Sequence, residues 1–144
     1  MFNPSRPDVR QFYFETWRKY QQKIPLTGAE LTALAIIQEH PEYHELLTQT
    51  ERYRQRDFPP ELGAANPFLH LSMHLALQEQ LAIDQPQGVR QYYQRLLSLY
   101  GAADAAQHEM MDCLGEMIWQ AQRRQTAFDH EIYFSCMDKK LSDE

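Results

Sequence analysis

The chain has only two cysteines, Cys113 and Cys136, in 144 residues. That is too few for a disulfide framework. They form no C-x-x-C, so a thiolate zinc site has no basis. Their number suits two reduced thiols in a cytoplasmic protein. Glycine is scarce, with 5 residues against 8 prolines, which excludes fibrous and low-complexity chains. No window of ~18 apolar residues offers a membrane span. The opening MFNPSRPDVR lacks the apolar run of ~7–15 residues that a secretory signal needs. No G-x-S-x-G, Walker loop or dinucleotide fingerprint occurs. Strand-like alternation is absent, as is any repeat with a period of about 20–50 residues.

What remains is an ordinary globular composition, with 43% hydrophobic and 24% charged residues. The length fits a single domain, residues 1–144. A chain of this size buries roughly two-thirds of its unfolded surface, so it needs neither a metal nor a disulfide to fold. The net charge of −6 repels a phosphate backbone and disfavours nucleic acid as a partner. The charge is uneven. Arg6, Arg10, Arg18, Lys19 and Lys23 face only Asp8 and Glu15 near the N-terminus, and Arg52, Arg54 and Arg56 form a second short basic run.

The punctuation predicts helices throughout. Ser5 is positioned to cap a first helix with Pro7 and Asp8 in its opening turn, broken at Ile24-Pro25-Leu26. Thr27 and Glu30 have the spacing of a capping box for the next. Pro41 sets a boundary at His40, followed by a short helix to about Leu47 and a long loop over 48–65. Asn66-Pro67 is a strong start for a helix reaching about Ile83. Helices over Val89–Tyr100, Ala102 to about Arg124, and from Asp129 to about Lys139 complete the chain. Short connections between six or seven helices predict an all-α, compact antiparallel bundle.

Histidine is the one residue type that carries chemistry here. The helix from Pro67 is apolar nearly all round, with a narrow polar strip at Ser72 and Glu79, and such a helix belongs inside a bundle. His70 and His74 share a stripe with Leu77 and Leu81, so two imidazoles face inward one turn apart. Each needs a partner, because burying an unpaired polar group costs roughly 1–3 kcal/mol. An i, i+4 pair can clamp one metal ion; it can equally be two core histidines held by carbonyls, carboxylates or water. In HPEYH, Pro41 separates His40 from His44, and His44 is the better placed to point inward. On the long helix, Met110, Leu114, Met117, Ile118 and Ala121 form an apolar stripe. His108, Asp112 and Glu116 step along the opposite side, beside Trp119. That face is either solvated or lines a cleft in which Asp112 orients His108 and Glu116 adds an oxygen ligand. No E-x-x-H occurs, against a ferritin-like di-iron pattern.

Two functions follow. One is a transition-metal site (Zn, Fe, Mn or Ni) with His70 and His74 as core ligands and His44, His108 or Glu116 completing the shell. The other is a non-enzymatic interaction module whose histidines are structural. Its contact surface for a protein partner would be the basic, aromatic first helix, through Arg10, Phe14, Trp17 and Arg18. The strings HPEYH, NPFLHLSMHLALQEQLAIDQPQG and HEMMDCLGEMIWQAQR, with the opening FNPSRPDVRQFYFETWRKY, resemble the bacterial domain of unknown function 1841 family over essentially the whole chain. The resemblance implies a small cytosolic bacterial protein and brings no activity, substrate or ligand set with it.

Overall fold

A computed structural model describes residues 7–54 and 66–142. The proposed cap Ser5, Arg6, Arg56 and most of the expected loop lie outside the described residues. The fold is all-α: α1 (Pro7–Gln21), α2 (Ala29–Gln38), a 3-10 turn (Pro41–Tyr43), α3 (His44–Leu47), α4 (Thr50–Tyr53), α5 (Pro67–Ile83), α6 (Val89–Tyr100), α7 (Ala103–Arg124) and α8 (His130–Ser142). Among the described residues there is no strand. Among the described residues the helices number eight rather than six or seven, because single-turn helices α3 and α4 form where one short helix and a loop were expected. No helix of the described residues is long and apolar enough to cross a membrane. The residues cluster into two compact units, Met1–Leu75 and Ala76–Glu144, divided inside α5.

The helix ends follow the local chemistry that the sequence announces. Asn66 Oδ1 accepts from the backbone N–H groups of Phe68 and Leu69 at 3.0 and 3.3 Å, filling two of the donors that every helix start leaves open. Asp129 does the same for Glu131 at 3.0 Å. Gly101 closes α6 at φ 78°, a left-handed conformation that costs glycine little. The Thr27–Glu30 box is half formed. Glu30 Oε1 accepts from the Thr27 N–H at 3.3 Å, while Gly28 takes the cap position at φ 55°.

The first unit is built on aromatic packing. Tyr13, Phe14 and Trp17 of α1 are buried with Ile36 and Ile37 of α2, Leu47 of α3, and Phe68, Leu71 and Leu75 of α5. Phe14 meets Phe68 edge-on, with centroids 5.5 Å apart, a favoured arrangement for aromatic rings. Arg10 is only 1% exposed. Its Nη1 donates to the Tyr53 carbonyl at 2.7 Å, and its guanidinium lies 4.8 Å from the centre of the Phe68 ring. These placements correct the expected contact surface. Arg10, Phe14 and Trp17 serve the core of α1, and of that set only Arg18 is substantially exposed, paired with Glu15 at 2.8 Å. Ser72 is a second correction. It is fully buried rather than on a solvent strip, and it shares a 2.8 Å hydrogen bond with the Tyr13 hydroxyl.

The second unit packs α6, α7 and α8 on the stripe read from the sequence. Met110, Leu114, Met117, Ile118 and Ala121 are all buried, facing Tyr133 and Met137 of α8 in the same core. The Tyr133 hydroxyl donates to Gln80 Oε1 at 2.8 Å, and burial pushes its pKa far up. The expectation of two reduced thiols is corrected here. Cys113 and Cys136 are joined in a disulfide, Cα atoms 5.5 Å apart. The reason is tertiary: antiparallel packing of α7 on α8 brings two cysteines 23 residues apart face to face.

Candidate metal centre

The site grows from the end of α2. The Ile36 carbonyl there takes the Glu39 N–H at 3.1 Å, and His40, just beyond the helix, adds its ring as a second donor. His40 Nδ1 donates to the Ile36 carbonyl at 2.7 Å. A carbonyl only accepts, so the proton sits on Nδ1 and Nε2 is the nitrogen left to ligate. Such a backbone anchor is how metal-ligating histidines are commonly oriented.

His70 and His74 bring the other two rings from α5. His70 Nε2 stands 3.2 Å from His40 Nε2 and 3.2 Å from His74 Nε2. The ligating nitrogens of these three residues lie within 4.8 Å of one another. The rings are set steeply, with interplanar angles of 74° for His40–His70, 63° for His40–His74 and 76° for His70–His74. They are grouped around a point rather than stacked. His40 and His74 are 8% and 2% exposed, and His70 is half-buried. Tyr43 borders the cluster, its ring parallel to His40 at 5.6 Å. Burial, and then the neighbouring Glu42 charge, raise the Tyr43 pKa.

The electrostatics of this trio are unusual. A ring nitrogen carries either one proton or one lone pair in the ring plane. His70 Nε2 is approached by two other Nε2 atoms, and a single in-plane orbital cannot serve both. One cation can serve all three. Tetrahedral coordination with metal–nitrogen bonds of about 2.0–2.1 Å places neighbouring donor atoms about 3.3 Å apart, close to the spacings seen.

Of the remaining sequence candidates, His44, Asp112 and Glu116 are held by other partners. The third imidazole is His40 rather than His44. His44 Nε2 donates to the Ile37 carbonyl at 2.8 Å, and its ring lies 4.3 Å from Trp17. Both histidines bond carbonyls of the last turn of α2, but through different nitrogens, and only His40 thereby turns Nε2 to α5. The signal that could have found it is the position itself, because a histidine just past a helix end can reach back to the carbonyls of the last turn. His108 belongs to the second unit. Its Nδ1 donates to the Asp104 carbonyl at 2.8 Å and lies 3.3 Å from Asp104 Oδ1, so Asp104 rather than Asp112 orients it. Asp112 pairs with Lys140 at 2.9 Å. Glu116 is exposed and accepts from Gln120 at 3.0 Å. Trp119, expected to mark a covered face, is 50% exposed beneath the Arg123 guanidinium, 5.0 Å from its ring centre.

The sequence profile of the family described as Domain of unknown function (DUF1841) matches residues 5–139. The chain belongs to this family. The match takes in all three histidines of the trio and every described helix except the last three residues of α8. Neither a curated protein nor a solved structure matches the chain.

Proposed function

We propose that this DUF1841 protein binds a transition-metal ion in its first unit through His40, His70 and His74. The observation that carries the reading is the convergence of three Nε2 atoms, with the central one facing two partners at 3.2 Å. An all-imidazole set suits Zn, Fe, Ni or Cu better than Mg, Ca or Mn, which prefer oxygen. Buried rings held by a backbone anchor are pre-organised for an ion. The protein is large enough to fold without one, so the ion serves a role beyond holding the chain together.

Metal content of protein produced without a histidine tag, followed by calorimetric titration of Zn and Co into chelator-treated protein, tests the reading. One ion should bind per chain. His40→Ala, His70→Ala and His74→Ala should each weaken binding by at least about 100-fold, beyond the 10–100-fold typical of outer-shell changes. His44→Ala should bind as the parent does, because its ring is engaged with Ile37 and Trp17. Equal binding by the His40 and His44 variants would overturn this ligand set. Absence of any ion, with unchanged melting on metal addition, would return the histidines to a structural role.

A further inference from the structure

The seam between α7 and α8 is sewn twice. Cys113 is joined to Cys136. One turn away along the same seam, Lys140 Nζ donates to Glu109 Oε2 at 2.6 Å and to Asp112 Oδ2 at 2.9 Å. Glu109 precedes Cys113 by four residues and Lys140 follows Cys136 by four, so the two fastenings occupy successive turns of one antiparallel register. Met110, Leu114, Met117, Tyr133 and Met137 bury their side chains in the same unit. The register is therefore held by ion pairs and apolar packing as well as by the covalent bond. Opening the disulfide leaves the two sulfurs opposite one another and ready to rejoin. The pair is also asymmetric, since Cys113 is fully buried whereas Cys136 is half-buried.

We propose that Cys113–Cys136 is a reversible redox site, opened by a dithiol reductant that attacks at Cys136. The thiolate of the reductant bonds to Cys136 Sγ as the protein S–S bond breaks. The electron pair leaves on Cys113 Sγ, which takes a proton from water. The second thiol of the reductant, as its thiolate, then attacks the mixed disulfide and releases Cys136, which is protonated in turn. The protein gains two electrons and two protons, and the dithiol becomes a disulfide. Access decides which sulfur is attacked, as in thiol–disulfide exchange generally.

The full chain is equilibrated in dithiothreitol buffers of graded redox poise, quenched in acid, alkylated in denaturant and weighed. The expected result is a two-electron transition between unalkylated and doubly alkylated chain, with superimposable helical circular dichroism at both ends. With oxidised glutathione as the probe, Cys113→Ser should take up the adduct at Cys136 at least about tenfold faster than Cys136→Ser takes it up at Cys113. Lys140→Ala should melt nearly as the parent when oxidised and lose markedly more than the parent on reduction, because the second fastening is then gone. Cysteines that stay unbridged at every poise, helices that melt when the parent is reduced, or equal adduct rates at the two cysteines would each overturn the proposal.

Discussion

Every buried polar or charged side chain in the described core (Arg10, Thr16, His40, Ser72 and His74) lies in the first unit, whereas the buried residues of the second are apolar or aromatic side chains and the bridged Cys113. The first unit threads hydrogen bonds through an aromatic core, as in Tyr13–Ser72 and Arg10–Tyr53. The second keeps its polar fastenings toward the rim, where Lys140 holds Glu109 and Asp112. Burial works against the Lys140 ammonium, but the hydrogen bonds it donates to those two carboxylates carry its pKa above the ordinary value. The difference teaches where chemistry is concentrated. Apolar packing and a cross-link suffice to hold helices together. Imidazoles buried among aromatic rings are costly unless something engages them.

The sharpest way to probe the contrast is to remove a ring from the first core. Phe68 is fully buried and touches both Phe14 and the Arg10 guanidinium. Phe68→Ala should destabilise by about 3–5 kcal/mol in denaturant unfolding, with hydrogen exchange rising first in α1 and α2. A uniform rise across both units would deny that they respond separately. Next in size, reduction of the disulfide should lower stability by about 3 kcal/mol, from the entropy of a loop of this length, with the loss read in α7 and α8. A stability unchanged by reductant would mean that packing and the Lys140 cluster already supply all the restraint.

Slightly smaller is the effect of metal. Zinc at about 100 times its dissociation constant should raise stability by about 2.7 kcal/mol in the parent and leave His70→Ala unmoved. A reducing agent that binds no metal should act on the second unit whether or not zinc is present, and loss of that independence would break the comparison. Smallest is acid. A hydrogen bond from Lys19, and then one from the Thr27 N–H, hold the Glu30 pKa below its ordinary value, and an Arg18 hydrogen bond does the same for Glu15. Folded-state values below the unfolded ones mean that this stability is present at neutral pH. It is lost as pH falls through the carboxylate range. These groups are only partly buried, so melting should drop modestly in acid and the dependence should flatten in 1 M salt. A salt-independent drop would point to buried groups instead.

Much of the fold was legible because its signals are local. Asn66-Pro67, Gly101 and Asp129 mark helix ends through bonds made within a few residues, and all three behave as read. The α7 stripe was legible because helical periodicity alone decides which residues share a face. The site was legible in part. The four-residue spacing of His70 and His74 places them together, but the third imidazole depended on how the chain turns at Pro41, where φ −127° and ψ 67° at His40 aim its ring at α5. The α1 face was misread because basic and aromatic residues look like a surface. Arg10 becomes a core residue only once Phe68 and the Tyr53 carbonyl are brought beside it.

The sequence by itself determined that the chain is helical, where most helices begin and end, and that two imidazoles share one face of α5, since all of these rest on contacts within a turn or two. The tertiary structure alone decided that His40 joins them, that Ser72 and Arg10 are buried, and that Cys113 meets Cys136. Each of those pairs residues from different helices, and the cost of an unpaired buried group settles such pairings only when the helices pack.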